Sequence, residues 1–203
     1  VKSVLVDLND AAATLPNSYN SVENITPLET PLSSTINGAA LATPVFLSLY
    51  AENDLRLDKY FAETDEKGFR KNKKAGSNNY FCTFRVGEIY LTAAEAAARL
   101  GELSQARTRL LELMRKRYAP EAYEAKSVVV NAMDKEALVQ EILDERAREL
   151  AFEGHRWFDL RRSTRPRLEK VLDGTRYVLE ENDARYTLAI PKEAIEANPG
   201  LLN

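Results

Sequence analysis

The sequence is poor in the residues that build reactive or cross-linked sites. It has one cysteine, one histidine, one tryptophan and two methionines among 203 residues. A lone thiol, Cys82, cannot close a disulfide within the chain. A lone imidazole, His155, cannot supply a His-rich zinc site, and no Asp/Asn-Gly loop of the calcium-binding kind is found. No metal or other cofactor is therefore expected. Long apolar runs are missing as well: nothing approaches the roughly 18–20 apolar residues of a membrane-crossing helix. Neither sign of charge is in excess. Lys+Arg 28 against Asp+Glu 31 leaves −3, which gives the chain no bulk electrostatic reason to seek nucleic acid or anionic lipid. What is present is ordinary globular material, 44% hydrophobic and 29% charged, which excludes a disordered tail or a collagen-like repeat.

The first residues, VKSVLVDLND, carry no initiator Met and no signal peptide, and they already read as a helix interior. The expectation is the C-terminal piece of a longer protein. Val4, Leu5, Leu8, Ala11, Ala12 and Leu15 form one helical stripe that Pro16 ends. Residues 16–44 are rich in Pro, Ser, Thr and Asn without periodicity, as in a surface loop. Residues 45–62 suggest a short helix and then an extended piece. Lys67, Arg70, Lys71, Lys73 and Lys74 make a basic run that reads as a solvated hairpin tip, since a nucleic-acid patch would need more aromatics around it.

Residues 84–100 give the strongest helical signal, with Val86, Ile89, Tyr90, Ala93, Ala97 and Leu100 in register and Gly101 placed to end the helix. Ser104 can cap a second helix whose stripe is Ala106, Leu110, Leu113 and Met114. Two helices joined by so short a turn make an antiparallel hairpin of the tetratricopeptide-like kind. The alanine run 93–98 lets the neighbouring helix approach closely. Asp134 is a good cap for a third helix that runs to Gly154, and HRWFDLRRS follows as a shorter continuation. Asp173-Gly174 between RLEKVL and TRYVLEE predicts a β-hairpin. YTLAIP reads as extended, and KEAIEAN as one helical turn. The fold class is mostly α: tetratricopeptide-like hairpins with long loops, helical over 84–165, with a small β element at about 167–190.

One helix is charged where it should be apolar. On a wheel of residues 138–153, Leu138, Val139, Ile142, Leu143, Ala147 and Leu150 define one face. Arg146 falls within it, with Glu149 and Glu153 on the same side, while Glu141, Asp144 and Arg148 face solvent. Burying unpaired charge costs several kcal/mol per ion. Arg146, Glu149, Glu153 and Arg156 should therefore be buried and bonded to one another, because a guanidinium can hold two carboxylates at once. A carboxylate pair for acid–base catalysis is the competing reading of Glu149 and Glu153. No nucleophile with its base stands nearby, so no catalytic residue is assigned. Trp157 and Phe158 read as core anchors, and His155 as a cation beside the last helical carbonyls.

The run ERARELAFEGHRWFDLRR closely resembles the C-terminal signature of the SusD/RagB family of outer-membrane nutrient-binding lipoproteins. LYAENDLRLDKYF, FRVGEIYLTAAEAAARLGEL and YTLAIPKEAIEANPGLLN resemble three further family segments, in the family's order, so the resemblance spans roughly residues 45–203. It implies a SusD-like but incomplete fold, with Arg146, Glu149, Glu153, Arg156 and Asp159 as fold-defining positions. It also implies a non-enzymatic receptor at the cell surface that captures glycan, or another nutrient oligomer, for a SusC-like TonB-dependent outer-membrane transporter. Such a receptor is lipid-anchored through a cysteine in the N-terminal part, and Cys82 is not that anchor. A helical-repeat scaffold that binds protein is the alternative. No binding residue transfers by motif. Contacts to sugar are expected in the loops 16–44 and 60–81, where Tyr19, Tyr60, Phe69 and Tyr80 lie near Asn20, Asn78 and Asn79. Aromatic faces beside amides offer both stacking and hydrogen bonds. Tyr60, Tyr80, Asn78 and Asn79 are the candidates carried forward.

Overall fold

The structure, a computed structural model, describes residues 24–27, 41–74, 82–172, 174–187, 190–198 and 200. The helix expected over 2–15, most of the loop 16–44, and Asn78, Asn79 and Tyr80 lie outside the described residues. The chain divides into two units, residues 1–155 and 156–203.

The first unit is built on the expected helical hairpin. Helix α3 (Val86–Leu100) ends on Gly101 at φ 87°, whose N–H reaches back to Ala97 and Ala98. Helix α4 (Leu103–Met114) follows at once; its N-cap residue is Glu102, without a side-chain bond, so Ser104 lies inside the helix and does not cap it. Ala93, Ala94, Ala97 and Ala98 of α3 are all sealed from solvent against Ala106, Leu110 and Met114 of α4. Side chains this small let the two backbones come close. Helix α5 (Pro120–Ala132) has no counterpart among the elements that periodicity suggests. It opens on Pro120, whose missing N–H is harmless at a first helical position. Its β-branched Val128–Val130 run and the lack of a side-chain cap conceal it. Arg107 from α4 donates to the Met133 carbonyl just beyond its end, at 2.6 Å. Helix α6 (Lys135–Glu149) begins at Asp134, whose carboxylate accepts the Ala137 N–H at 2.9 Å, as expected. Leu138 and Ile142 of α6 join the same core.

Among its described residues the first unit also contains two small sheets. Strand β1 (Asn24–Pro27) pairs antiparallel with β5 (Cys82–Arg85). Strand β2 (Leu41–Ala42) pairs with β4 (Arg70–Asn72), which pairs with β3 (Phe61–Thr64), all antiparallel. Helices α1 (Pro44–Leu47) and α2 (Arg56–Tyr60) lie between β2 and β3. Ala42, Tyr50, Phe61 and Ala151 form a second core, with Phe46 and Phe152 packed edge-on to Phe61 at 6.4 and 6.1 Å.

The second unit contains α7 (His155–Arg162, which begins one residue earlier), the hairpin β6 (Leu168–Leu172) with β7 (Thr175–Leu179), and α8 (Lys192–Ala197). The hairpin register closes on Leu172 opposite Thr175, the two-residue turn that Asp-Gly predicts. Tyr186, expected to be extended, sits in a 3₁₀ turn (Ala184–Tyr186) and stacks on Trp157 with ring centroids 5.1 Å apart. Phe158 is not a core anchor; it is 61% exposed.

Candidate functional site

The C-terminal half of α6 is buried all round, and its charges meet partners from several other segments. Glu145 and Glu149 stand one turn apart and have no exposed surface. Arg56, the first residue of α2, donates to Glu145 Oε1 at 2.7 Å and to Glu149 Oε2 at 3.1 Å. The rest of its fork grips Asp54 at 2.7 and 2.8 Å. Its guanidinium lies between the Tyr50 and Tyr118 rings, 5.8 and 5.3 Å from their centroids. Arg117, just past α4, binds Glu149 through two N–H groups at 2.7 Å each. Arg85, at the end of β5, adds a further bond to Glu149 at 3.0 Å. The Glu149 carboxylate thus accepts four bonds from three guanidiniums, which fills its lone-pair sites. Burial alone would raise its pKa, but Arg117 and Arg85 outweigh that and hold the carboxyl well below the ordinary range. Glu145 is likewise lowered against its burial, by Arg56 and Arg148.

Gly87 explains how the site closes. A Cβ there would stand 2.9 Å from Glu149 Oε1 and 3.3 Å from its Cγ. Only a glycine at the start of α3 lets the carboxylate lie this near that backbone.

A second, shallower node centres on Glu153, whose side chain is 10% exposed. Arg85 donates to it at 2.9 and 3.1 Å, and Lys74 is its other cation. The Lys74 ammonium also donates to the carbonyls of Glu149, at 2.5 Å, and Ala151, at 3.2 Å, and it lies 4.4 Å from the centroid of the Tyr60 ring.

A buried Arg–Glu lattice is present, and its cations include four not named for it from the sequence, Arg56, Arg85, Arg117 and Arg148. Arg146 is buried and directs Nη1 to Thr92 Oγ1 at 3.1 Å. Arg156 is exposed and belongs to the second unit. Arg148, expected on the solvent side, is 4% exposed and binds Glu145 at 2.8 Å and Glu141 at 2.6 Å. Asp159 is buried and holds Arg162 at 2.6 Å. The wheel failed because it places one helix against one core, whereas this helix end is enclosed on every side. Arg56 and Arg85 lie within the LYAENDLRLDKYF and FRVGEIYL segments, but nothing local to those segments marks them as partners of Glu149. Lys74 was hidden within a basic run that looked solvated. The β3–β4 hairpin of that run is present, but only its exposed members, Lys67, Lys71 and Lys73, fit the solvated reading.

Of the loop candidates, Tyr60 is half-buried, with a ring face covered by Lys74. His155 places Nδ1 3.7 Å from the Glu88 carboxylate. The described helices include none long and apolar enough to cross a membrane. Chemically, a Glu149 sealed from solvent and saturated by guanidiniums is suited to hold segments together and unsuited to exchange protons with a substrate.

These features define a class: a tetratricopeptide-like hairpin scaffold whose conspicuous charges serve packing. The sequence matches the SusD family over residues 39–203, and the chain belongs to that family. Among solved structures, it resembles a SusD-like carbohydrate binding protein from Bacteroides vulgatus ATCC 8482, at TM-score 0.60 and 19% identity, covering 94% of this chain and 50% of that one. It also resembles a SusD superfamily protein from Bacteroides thetaiotaomicron VPI-5482, at TM-score 0.63 and 21% identity, covering 95% and 50%. At such identities the likeness is one of fold. The chain spans about half the length of each of these structures. No curated protein matches the sequence.

Proposed function

We propose that this chain serves the capture of glycan, or of another nutrient oligomer, at the outer-membrane surface, for delivery to a SusC-like TonB-dependent transporter. Membership of the SusD family over residues 39–203 carries this reading, and the carbohydrate-binding description of one structural neighbour supports it. The protein acts by binding, not catalysis, and Glu149 and Glu153 are structural. Display at the surface uses a lipidated cysteine other than Cys82. Sugar contacts are assigned to Tyr80, Asn78 and Asn79. Tyr60 belongs to the same set of candidates, with one ring face occupied by Lys74.

A glycan array followed by calorimetric titration tests this. At least one oligosaccharide class should bind, and Tyr80→Ala should weaken it about tenfold, the loss of one stacking contact of roughly 1–1.5 kcal/mol. Absence of binding across the array overturns the glycan reading. The alternative, a protein-binding scaffold, draws on one observation: Val128 and Val129 of α5 are 70% and 55% exposed.

A further inference from the structure

Helix α5 is apolar on two sides, and only one of them faces the core. Val130 is sealed in the core shared with α3, α4 and α6, and Ala122 and Tyr123 pack against it. On the other side Ala125, Val128, Val129 and Ala132 are all exposed. Their spacing, i, i+3, i+4 and i+7, aligns them in one stripe along the helix. A helix surface meant only for water has no use for such a stripe. β-Branched residues lower helix propensity, and their apolar surface is better covered than left in water. The charge beside the stripe is of one sign. Glu121 stands one turn before Ala125 and Glu124 one turn before Val128, and both are exposed. Glu121 suits the first turn of a helix through the dipole. Glu124 lies past that turn, so the dipole does not account for it. The one cation of α5, Lys126, points elsewhere: its ammonium donates to Glu141 of α6 at 3.2 Å and lies 5.8 Å from the centroid of the Tyr118 ring.

We propose that this outer face of α5 docks an amphipathic helix of a partner protein whose apolar stripe is flanked by lysine or arginine. The spacing of the stripe fits a helix, and the small residues at its ends repeat the device that joins α3 to α4 within this chain, where alanines admit a second helix closely. The sign of the flanks follows from Glu121 and Glu124, which a basic helix neutralises and an acidic one would meet with like charge. A second copy of the chain is a poorer occupant, because it brings the same two carboxylates and no free α5 cation. Two valines and two alanines make a small patch, so the complex belongs to the weak and transient class. Charge there supplies choice of partner more than strength. The contact goes beyond glycan capture and does not depend on it.

The test titrates the 203-residue chain with two synthetic helical peptides of about 18 residues, a length that holds helix in water. Both carry leucine at i, i+3, i+4 and i+7. One has lysine on its flanks and the other glutamate. Amide shifts in NMR spectra locate the contact. The lysine peptide should shift residues 121–132 and saturate below about 1 mM, and the glutamate peptide should bind at least about tenfold more weakly. Val128→Ser with Val129→Ser removes apolar surface without adding charge. That pair should weaken the lysine peptide at least about tenfold and keep the melting temperature. Glu121→Lys with Glu124→Lys should reverse the preference between the peptides. Equal binding of the two peptides to the unsubstituted chain overturns the proposal. So do shifts centred away from α5, no binding by either peptide up to that concentration, and binding that survives the serine changes. If the chain alone dimerises in sedimentation and the serine variant does not, a second copy covers the face and the proposal falls. If the serine pair unfolds the chain, the lysine pair decides: an unreversed preference overturns the proposal.

Discussion

The two ends of the core in the first unit are held by opposite means. Where α3 packs on α4, the buried contact sets alanines of α3 against Ala106, Leu110 and Met114, and charge enters only at its edge, where Arg109 lies 5.9 Å from the Tyr90 ring centroid. Where α6 ends, contact is made by carboxylates that receive guanidiniums from α2, from β5 and from the residues after α4. The first interface needs smallness and tolerates no added bulk. The second needs complete partnering and tolerates no loss of a partner. An alanine contact joins two neighbouring helices, whereas Glu149 joins three segments far apart in sequence at one carboxylate. Charge here supplies reach and direction that apolar packing lacks.

Removing the centre of the charged end should have the largest effect. Glu149→Ala leaves Arg56, Arg85 and Arg117 short of their common acceptor, and a loss of about 3–5 kcal/mol is expected from chemical denaturation. A loss below about 1 kcal/mol would show that the guanidiniums find other partners and that the lattice is not the anchor. The pH dependence sharpens the same point. The folded-state pKa of Glu149 and of Glu145 lies below the ordinary glutamate value of 4.5. Their contribution is therefore fully present above about 4.5 and is lost as pH falls through the folded values. Urea unfolding at stepwise pH should show stability falling below about pH 4.5, and Glu149→Gln should flatten that slope.

At the alanine end the expected penalty is smaller and of a different kind. Ala97→Leu adds bulk to a position with no exposed surface, and overpacking of this sort costs typically about 1–3 kcal/mol. Gly87→Ala joins the two regimes. Alanine favours a helix over glycine by about 1 kcal/mol, so propensity alone predicts a gain. The new methyl would meet the Glu149 carboxylate at 2.9 Å, and we expect a net loss of about 1–2 kcal/mol. A thermal melt showing stabilisation would mean that the carboxylate can move aside, and that the lattice is looser than its distances imply.

The difference also explains what could be read from sequence. The alanine hairpin was legible because its signal is local: the periodicity of 84–100, the stop at Gly101 and the stripe of the next helix all lie within one stretch of chain. The Asp134 cap and the Asp-Gly hairpin were legible for the same reason. The charged end was half legible. Glu149 could be placed, since it falls on the apolar side of its own helix, whereas Glu145, equally buried, was not singled out. Its cations could not, because Arg56, Lys74, Arg85 and Arg117 arrive from segments 32 to 93 residues away. Periodicity within one helix says nothing about which distant strand will close on it. Helix α5 was missed because three consecutive valines resemble a strand as much as a helix.

The smallest expected effect lies on α5, and it bears on the alternative function. Val128, Val129 and Val130 are consecutive, yet Val130 has no exposed surface while its two neighbours are largely bare. Of these three valines only Val130 packs in the core, together with the partly buried Ala122 and Tyr123 of the same helix. Val128→Glu and Val129→Glu should each change stability by less than about 0.5 kcal/mol, the usual range for surface positions away from special features. Val130→Ala should cost more than either, since it empties a packed site. If α5 is instead a face on which a protein partner docks, the double glutamate variant should keep its melting temperature, bind oligosaccharide as before, and lose the partner. If that variant unfolds, Val128 and Val129 are part of the core in solution, and the exposed pair no longer favours a scaffold.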